Sequence, residues 1–343
     1  MVTSDDPRKS PSGHATREAP RLSLGTFPTR VHVLPGLSTA STELWVKRDD
    51  ESGALYGGNK VRKLEYILAG ARREGKSRLL TVGAAGSHHV LATAIYGRRM
   101  GFSVAAVLVP QPSSPHALQN LEACVAQGLE PIAASGFAEV PLQVLAAMDG
   151  RTAFVALGGS SATGTLGYVS AAAELADQIA RGELPIPDVI VTALGSGGTV
   201  AGLALGLTAT GLRTRVHAVA VSAPVPLIRF MTSSLIKRVA RGLPGVSAEQ
   251  ALGRVTVDGG FLGKGYGFLT EDGERASDEA QGAGLTLDPT YTAKAFAAAL
   301  ARVRAGPPGT VLFWHTLSSA PLGPLLRGAP EPTLDPELLR LFR

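Results

Sequence analysis

The 343-residue sequence holds one cysteine, Cys124, which excludes an internal disulfide framework and fits a reducing compartment. Cys124 lies in the run 118–125, on a helix-like face, and reads as a packed core thiol rather than a nucleophile. Aromatic residues are scarce at 5%, and no basic block is interleaved with them, which argues against a nucleic-acid partner. No apolar run reaches the length of a membrane span, so a membrane partner is not expected either. Residues 1–20 are rich in Pro, Ser and charge and lack the apolar core of a signal peptide. A mobile N-terminal tail on a cytoplasmic protein is therefore expected. No Cys/His/carboxylate set stands at ligand spacing, so the adjacent His88 and His89 do not read as a metal site. The net charge of +5 comes mostly from scattered arginines and supports only a mild attraction for small anions.

Glycine and proline are plentiful, with 41 Gly, 23 Pro and 45% hydrophobic residues, as suits an α/β protein with many tight turns. The length allows two domains with proper cores. Buried-strand patterns at Leu79 to Val82, Val104 to Val109, Pro131 to Ala134 and Thr152 to Leu157 alternate with helical patterns. Those helices are His89 to Met100, Pro115 to Gln127, Phe137 to Met148 and Ala162 to Arg181. A second series begins after Pro187. It contains the strong strand Asp188 to Leu194, further strands at Val216 to Val221 and Val255 to Val257, an alanine-rich helix at Thr290 to Val303 and a last strand at Val311 to Trp314. This alternation predicts mainly parallel sheets covered by helices.

Two stretches carry chemistry. In Gly57-Gly58-Asn59-Lys60-Val61-Arg62-Lys63-Leu64-Glu65 an apolar helical pattern opens just after Lys60, and Asn59 reads as the N-cap. The helix dipole, Arg62 and Lys63 would all disfavour a protonated Lys60. In Gly195-Ser196-Gly197-Gly198-Thr199, successive glycines between a strand and a helix make an anion cradle, with two hydroxyl donors. A dinucleotide fold would want an acid at the end of the next strand, where Val221-Ser222-Ala223-Pro224 has none. A phosphate-binding P-loop would want a lysine where Thr199 stands. A cofactor phosphate without a ribose contact fits better. A phosphate cradle plus an activated lysine points to pyridoxal 5'-phosphate.

The Lys60 stretch resembles the cofactor-lysine motif of the D-cysteine desulfhydrase / 1-aminocyclopropane-1-carboxylate deaminase family, one of the tryptophan-synthase-β-like (fold type II) pyridoxal enzymes. The resemblance runs from about Leu22 to about Thr316. It takes in Val46 to Asp50, Gly158-Gly159-Ser160, Gly167-Tyr168, the Gly195 loop, Gly265-Tyr266-Gly267, Leu287 to Thr292 and His315-Thr316. It implies a two-domain α/β fold, with residues 21–63 and 170–343 in a large cofactor-binding domain and 64–169 in a small one. It implies that Lys60 bonds the cofactor aldehyde and carries the Cα proton. Ser87 would hold the substrate carboxylate, with His88, His89 and Tyr266 also at the substrate, and Tyr266 and Tyr291 would serve catalysis. Asn59, His88, Thr316 and the loop Gly195, Ser196, Gly197, Gly198 and Thr199 would hold the cofactor. The cyclopropane deaminases carry a glutamate after the second tyrosine, whereas this chain has Thr292.

Two positions depart from the family. His88 replaces an asparagine that reaches the cofactor's phenolic oxygen; an imidazole there would titrate and lower activity at mildly acidic pH. Leu317-Ser318 replaces two glycines, which would narrow the pocket. Asp288 reads equally as a helix cap or a catalytic group. The resemblance implies a lyase, a small amino-acid substrate and a homodimer. Its first expectation is β-elimination from D-cysteine to pyruvate, sulfide and ammonia, with cyclopropane deamination or cysteate desulfonation as rivals. A nucleotide-dependent oxidoreductase and a cofactor-binding protein without lyase activity remain open alternatives from other classes.

Overall fold

The computed structural model describes residues 19–326 and 334–342. Apart from residues 19 and 20 the expected tail lies outside the described residues, as does much of the Pro-rich stretch from Gly328. In chain order the strands are β1 (Val31–Val33), β2 (Thr42–Lys47), β3 (Arg78–Ala84), β4 (Ser103–Val109), β5 (Leu129–Ala133), β6 (Thr152–Val155), β7 (Val189–Leu194), β8 (Arg215–Ala220), β9 (Val255–Asp258) and β10 (Gly309–Trp314). They form a six-stranded sheet, β1-β2-β10-β7-β8-β9, and a four-stranded sheet, β5-β4-β3-β6. Only β1 is antiparallel to its neighbour; the other pairings are parallel. Strands β3, β4 and β7 are apolar along nearly their whole length because helices cover both faces.

The helices that shape the cleft are α1 (Asn59–Arg73), α2 (His88–Arg99), α3 (Pro115–Ala126), α4 (Val140–Ala147), α5 (Ala162–Ala180), α6 (Gly198–Ala209) and α7 (Val225–Ala240). Beyond them come α8 (Ala248–Gly253), α9 (Glu271–Gly282) and α10 (Thr292–Ala305). Among these α7, α8 and α9 have no counterpart in the sequence expectations, although in α7 Ile228, Thr232, Leu235, Ile236 and Val239 bury one face at helical spacing and Pro226 suits a first turn. Strand β6 stops at Val155, short of the expected Leu157. Leu157–Gly159 instead forms a tight turn in which Gly158 and Gly159 take φ of 63° and 65°. The boundaries expected at 63/64 and 169/170 fall inside α1 and α5, two helices that pack on each other.

Chain order and sheet order disagree at two places, and both matter. In the smaller sheet the chain steps from β3 outward to β4 and β5, then returns to place β6 on the other side of β3. In the larger sheet it steps from β7 to β8 and β9, and β10 returns beside β7. A crevice opens at the carboxyl ends of parallel strands where the winding reverses in this way. Ser87 follows β3, Gly158 follows β6, the Gly195 loop follows β7 and Thr316 follows β10.

Candidate active site

Lys60 is the second residue of α1, and the loop before it is fixed from several sides. Gly57 N–H donates to Ser318 Oγ at 2.8 Å, Gly58 N–H to Asp49 O at 2.8 Å and Asn59 N–H to Thr316 O at 3.1 Å. Gly58 takes φ +87°, and a Cβ there would lie 2.6 Å from Thr316 O. Gly58, not Asn59, is therefore the residue that caps α1, because the chain must turn left-handed there. The Asn59 side chain is used in the cleft instead. Its amide donates to Thr199 Oγ1 at 3.1 Å, and its Oδ1 accepts from Lys60 Nζ at 2.7 Å.

Burial pulls the Lys60 amine down to about 8, opposed by the charge of Asp288. The direction is the expected one, but the cause is desolvation rather than its cationic neighbours. Arg62 turns away from the cleft to pair with Asp49 at 2.7 Å and Glu174 at 2.8 Å.

The Gly195 loop is arranged as a cradle. Gly197 sits at φ +90° and Gly198 opens α6. A Cβ on Gly198 would meet Ser160 Oγ at 2.6 Å and Lys63 Nζ at 3.0 Å. Lys63 Nζ donates to Gly158 O at 3.0 Å, and Ser160 Oγ lies 2.7 Å from Ser196 Oγ. Lys63 is almost fully buried with no carboxylate bonded to it, and burial holds its ammonium well below the ordinary value. A desolvated amine, a helix N-terminus, glycine amides and hydroxyls converge at one place. That donor set suits an anion. Sequence reasoning had given Lys63 only an electrostatic effect on Lys60; its position one turn beyond Lys60 was the signal that could have placed it here.

On the opposite wall Ser87 caps α2, its Oγ accepting from His89 N–H at 3.2 Å, which leaves the hydroxyl proton free to donate. His88 does not hang free in the cleft. Asn120 Nδ2 donates to Gly86 O at 3.0 Å and lies 3.4 Å from His88 Nδ1, which makes Nδ1 an acceptor. Tyr56 OH meets the same Nδ1 at 2.5 Å, and His88 Nε2 lies 3.0 Å from His116 Nε2. Both ring nitrogens are engaged within the protein. Burial keeps His88 neutral well below its ordinary range, so titration at mildly acidic pH is not supported. His89 borders the cleft but is buried, with Nε2 held by Thr81 Oγ1 at 2.9 Å. Tyr56, His116 and Asn120 were missed in the sequence because none lies in a recognisable motif.

Tyr266 and Tyr291 meet edge to face at 5.7 Å, and Lys60 Nζ lies 5.9 Å from the Tyr291 ring centre. Burial pushes Tyr266 up to about 12 and holds Tyr291 well above its ordinary value. Asp288 is buried and caps α10, accepting from the amides of Thr290, Tyr291 and Thr292. Thr292 Oγ1 donates to Asp288 Oδ2 at 2.7 Å, so its hydroxyl is committed to the cap. Thr316 lines the cleft, as do Leu317 and Ser318. Ser318 anchors the amide of Gly57, a contact that the expected glycine could not make. Cys124 is buried in the core and does not border the cleft, with its thiol pushed up by burial. The cleft measures about 540 Å³ and is bordered by all the expected site residues except Gly198, which stands behind it at the head of α6.

Residues 22–316 match the model of the pyridoxal-phosphate dependent enzyme family. The chain belongs to that family. It is 35% identical to a Nocardicin C-9' epimerase from Nocardia uniformis subsp. tsuyamanensis, over 93% of this chain and 98% of the relative. It is 35% identical to a D-cysteine desulfhydrase of Klebsiella pneumoniae, over 87% and 93%. A putative 1-aminocyclopropane-1-carboxylate deaminase of Pyrococcus horikoshii is 33% identical, over 87% and 91%. The crystal structure of an ACC deaminase homologue superposes with a TM-score of 0.78 at 28% identity, covering 96% of this chain and 98% of that one. The cofactor is pyridoxal 5'-phosphate, and the desulfhydrase and deaminase relatives support the lyase class. The fold is that of the tryptophan-synthase-β-like enzymes. No helix among the described residues is long and apolar enough to cross a membrane.

The residues fit this cofactor on structural grounds. A buried, carboxylate-free amine beside the glycine loop suits its phosphate, and a lysine amine lowered by burial and held by Asn59, whose amide reaches Thr199, suits its aldehyde.

Proposed function

We propose that the chain catalyses β-elimination from a small β-substituted D-amino acid, with D-cysteine as the first candidate, giving sulfide, pyruvate and ammonia. The observation that carries the choice is the commitment of Thr292 to Asp288. The position at which the cyclopropane deaminases carry a glutamate offers here a neutral hydroxyl tied into a helix cap. Thr316, the other neutral hydroxyl, borders the cleft.

When bound, pyridoxal phosphate supplies an electron sink that makes the α-hydrogen of an attached amino acid acidic. The chain's own residues do the rest. Lys63, Ser196, Gly197 and Thr199, which border the cleft, hold the phosphate end. Ser87 and the N-terminus of α2 hold the substrate carboxylate, where hydroxyl and helix dipole act together. Lys60 Nζ, with a pKa of about 8, is part neutral at physiological pH and takes the α-proton. Asn59 fixes the direction of that amine. Tyr291, whose ring centre lies 5.9 Å from the Lys60 amine, stays protonated and donates toward the departing sulfur, with Tyr266 orienting it. Departure of a thiolate tolerates a weak electron sink better than cyclopropane opening does, since it needs no acid at the ring nitrogen. Cysteate is less favoured, because its sulfonate would need a cation and the bordering amines are already assigned.

The test compares sulfide release from D-cysteine with 2-oxobutyrate and ammonia release from 1-aminocyclopropane-1-carboxylate, on one holoenzyme preparation. A higher catalytic efficiency on the cyclopropane acid overturns the choice. The epimerase relative supports a second reading, in which the α-proton is removed and returned without elimination. Hydrogen exchange in D2O with inversion and no pyruvate would favour it.

A further inference from the structure

We propose that the amino acid taken by this site carries an uncharged apolar group beyond its β-substituent sulfur, so that the leaving thiol is larger than sulfide. This deepens the elimination reading and rests on it. The observation is a change of chemistry along the cleft. The inner end presents Lys60, Ser87, Tyr291 and Asp288. At the mouth, four large apolar side chains border the cleft while open to solvent: Phe137 at 64% exposure, Leu157 at 39%, Leu227 at 52% and Met231 at 41%.

These four come from separate parts of the chain. Phe137 precedes α4, Leu157 lies in the turn after β6, and Leu227 and Met231 stand four apart on one face of α7. The mouth is thus apolar on the side of each sheet. Single exposed hydrophobics are ordinary, but several bordering one opening mark a place where apolar surface is to be covered. The charged groups that border the cleft are Lys60, Lys63 and Asp288. Lys63 faces the glycine loop, Asp288 is spent on the cap of α10, and Lys60 is at the reacting centre. Among the described residues that border the cleft, no charged side chain at the mouth would hold a carboxylate, sulfonate or ammonium. D-Cysteine ends at its sulfur and brings no apolar surface to these side chains, whereas an S-alkyl or S-benzyl group does.

With S-benzyl-D-cysteine the balance is simple. The α-hydrogen leaves as a proton and the Cβ–S bond breaks with its electron pair on sulfur, which is then protonated. One water completes hydrolysis, giving phenylmethanethiol, pyruvate and ammonia.

The experiment compares S-benzyl-D-cysteine with S-methyl-D-cysteine on the holoenzyme. Binding is read from the bound cofactor's absorbance, and thiol and pyruvate release are measured separately. The benzyl compound is expected to bind more tightly by about tenfold or more, and Phe137→Ser and Leu227→Asp should each move the ratio toward one. Equal or weaker binding of the benzyl compound overturns the proposal. So does a Phe137→Ser protein whose preference is intact but whose sedimentation shows a lost oligomer, because the mouth would then be a subunit contact. Preferential benzyl binding without release of thiol or pyruvate would leave the substrate class standing and sink the elimination reading instead.

Discussion

Lys60 and Lys63 stand one turn apart on α1, yet their amines bond different partners in one cleft. Lys60 Nζ donates to Asn59 Oδ1 at 2.7 Å, and Lys63 Nζ donates to Gly158 O at 3.0 Å beside the glycine loop. A helix places residues three apart on one face, so on the proposed reading a single element supplies both the reactive amine and a phosphate partner. Whatever moves the start of α1 moves both together.

The covalent link is expected at Lys60. Borohydride reduction of the holoenzyme followed by peptide mapping should find the pyridoxyl group there and not on Lys47, Lys63 or Lys294. Lys60→Ala should keep a non-covalently bound cofactor that borohydride does not fix. The attachment rate of the apo-protein should rise with pH through about 8, because only the neutral amine attacks and burial has lowered its pKa to that value. A midpoint above pH 10 would contradict the burial argument.

Cofactor retention is expected to depend on Lys63 and Gly197 for different reasons. Lys63→Ala removes the buried amine, and retention after dialysis should fall by about tenfold or more, since a charge-assisted hydrogen bond contributes about 1.5–3 kcal/mol. Gly197→Asp adds a Cβ to a backbone at φ +90° and a negative charge beside amides that face an anion. It should lose more cofactor than Gly197→Ala, which suffers the strain alone. Equal retention in the two folded variants would place the phosphate elsewhere.

His88 is expected to stay neutral through mildly acidic pH. Its burial, its bonds to Tyr56 and His116, and the nearby Lys60 disfavour an imidazolium, while the charge of Asp288 favours one. Nitrogen-15 spectra of labelled protein should show a proton on Nε2 and none on Nδ1 from pH 7 down to about 5. An imidazolium signal appearing near the ordinary value would show that the ring is more open to water than its packing indicates.

Much of this site was legible as short motifs. The glycines around Lys60 and Gly197 mark left-handed backbone that few other residues adopt, and such constraints survive in local sequence. Tyr291 was located by the Leu287-Asp288-Pro289 context before a helix, and Thr316 by its place just after the last strand. Tyr56, His116 and Asn120 were not, because they matter only through folding that brings α3 and the Lys60 loop against His88. Helix α7 was missed although its apolar spacing and the proline in its first turn were readable. The motif Val46 to Asp50 was found as a resemblance, but its purpose needed the structure. It holds the protein together rather than touching the cleft.

That purpose gives the last prediction. Asp49 is fully buried and accepts from Arg62 at 2.7 Å, Tyr168 OH at 2.7 Å, Trp314 Nε1 at 2.8 Å and Thr29 Oγ1 at 2.9 Å. Arg62 also pairs with Glu174, which in turn takes Lys47. The network joins β2, α1, α5 and β10, and Asp49 O holds the amide of Gly58 two residues before Lys60. Desolvation raises the Asp49 pKa, but Arg62, Lys47 and the hydrogen bonds outweigh it and bring the carboxyl down to about 2. A carboxyl with a depressed folded pKa stabilises the fold above its unfolded value, near 3.9, and loses that contribution as pH falls toward 2. Asp49→Asn keeps the volume but leaves Arg62 with less compensation, and should cost about 3–5 kcal/mol at neutral pH. The difference in stability between the original and the variant should shrink as pH falls from about 4 toward 2, measured by urea unfolding at each pH. A difference that stayed constant over that interval would mean that the Asp49 charge contributes nothing to the fold.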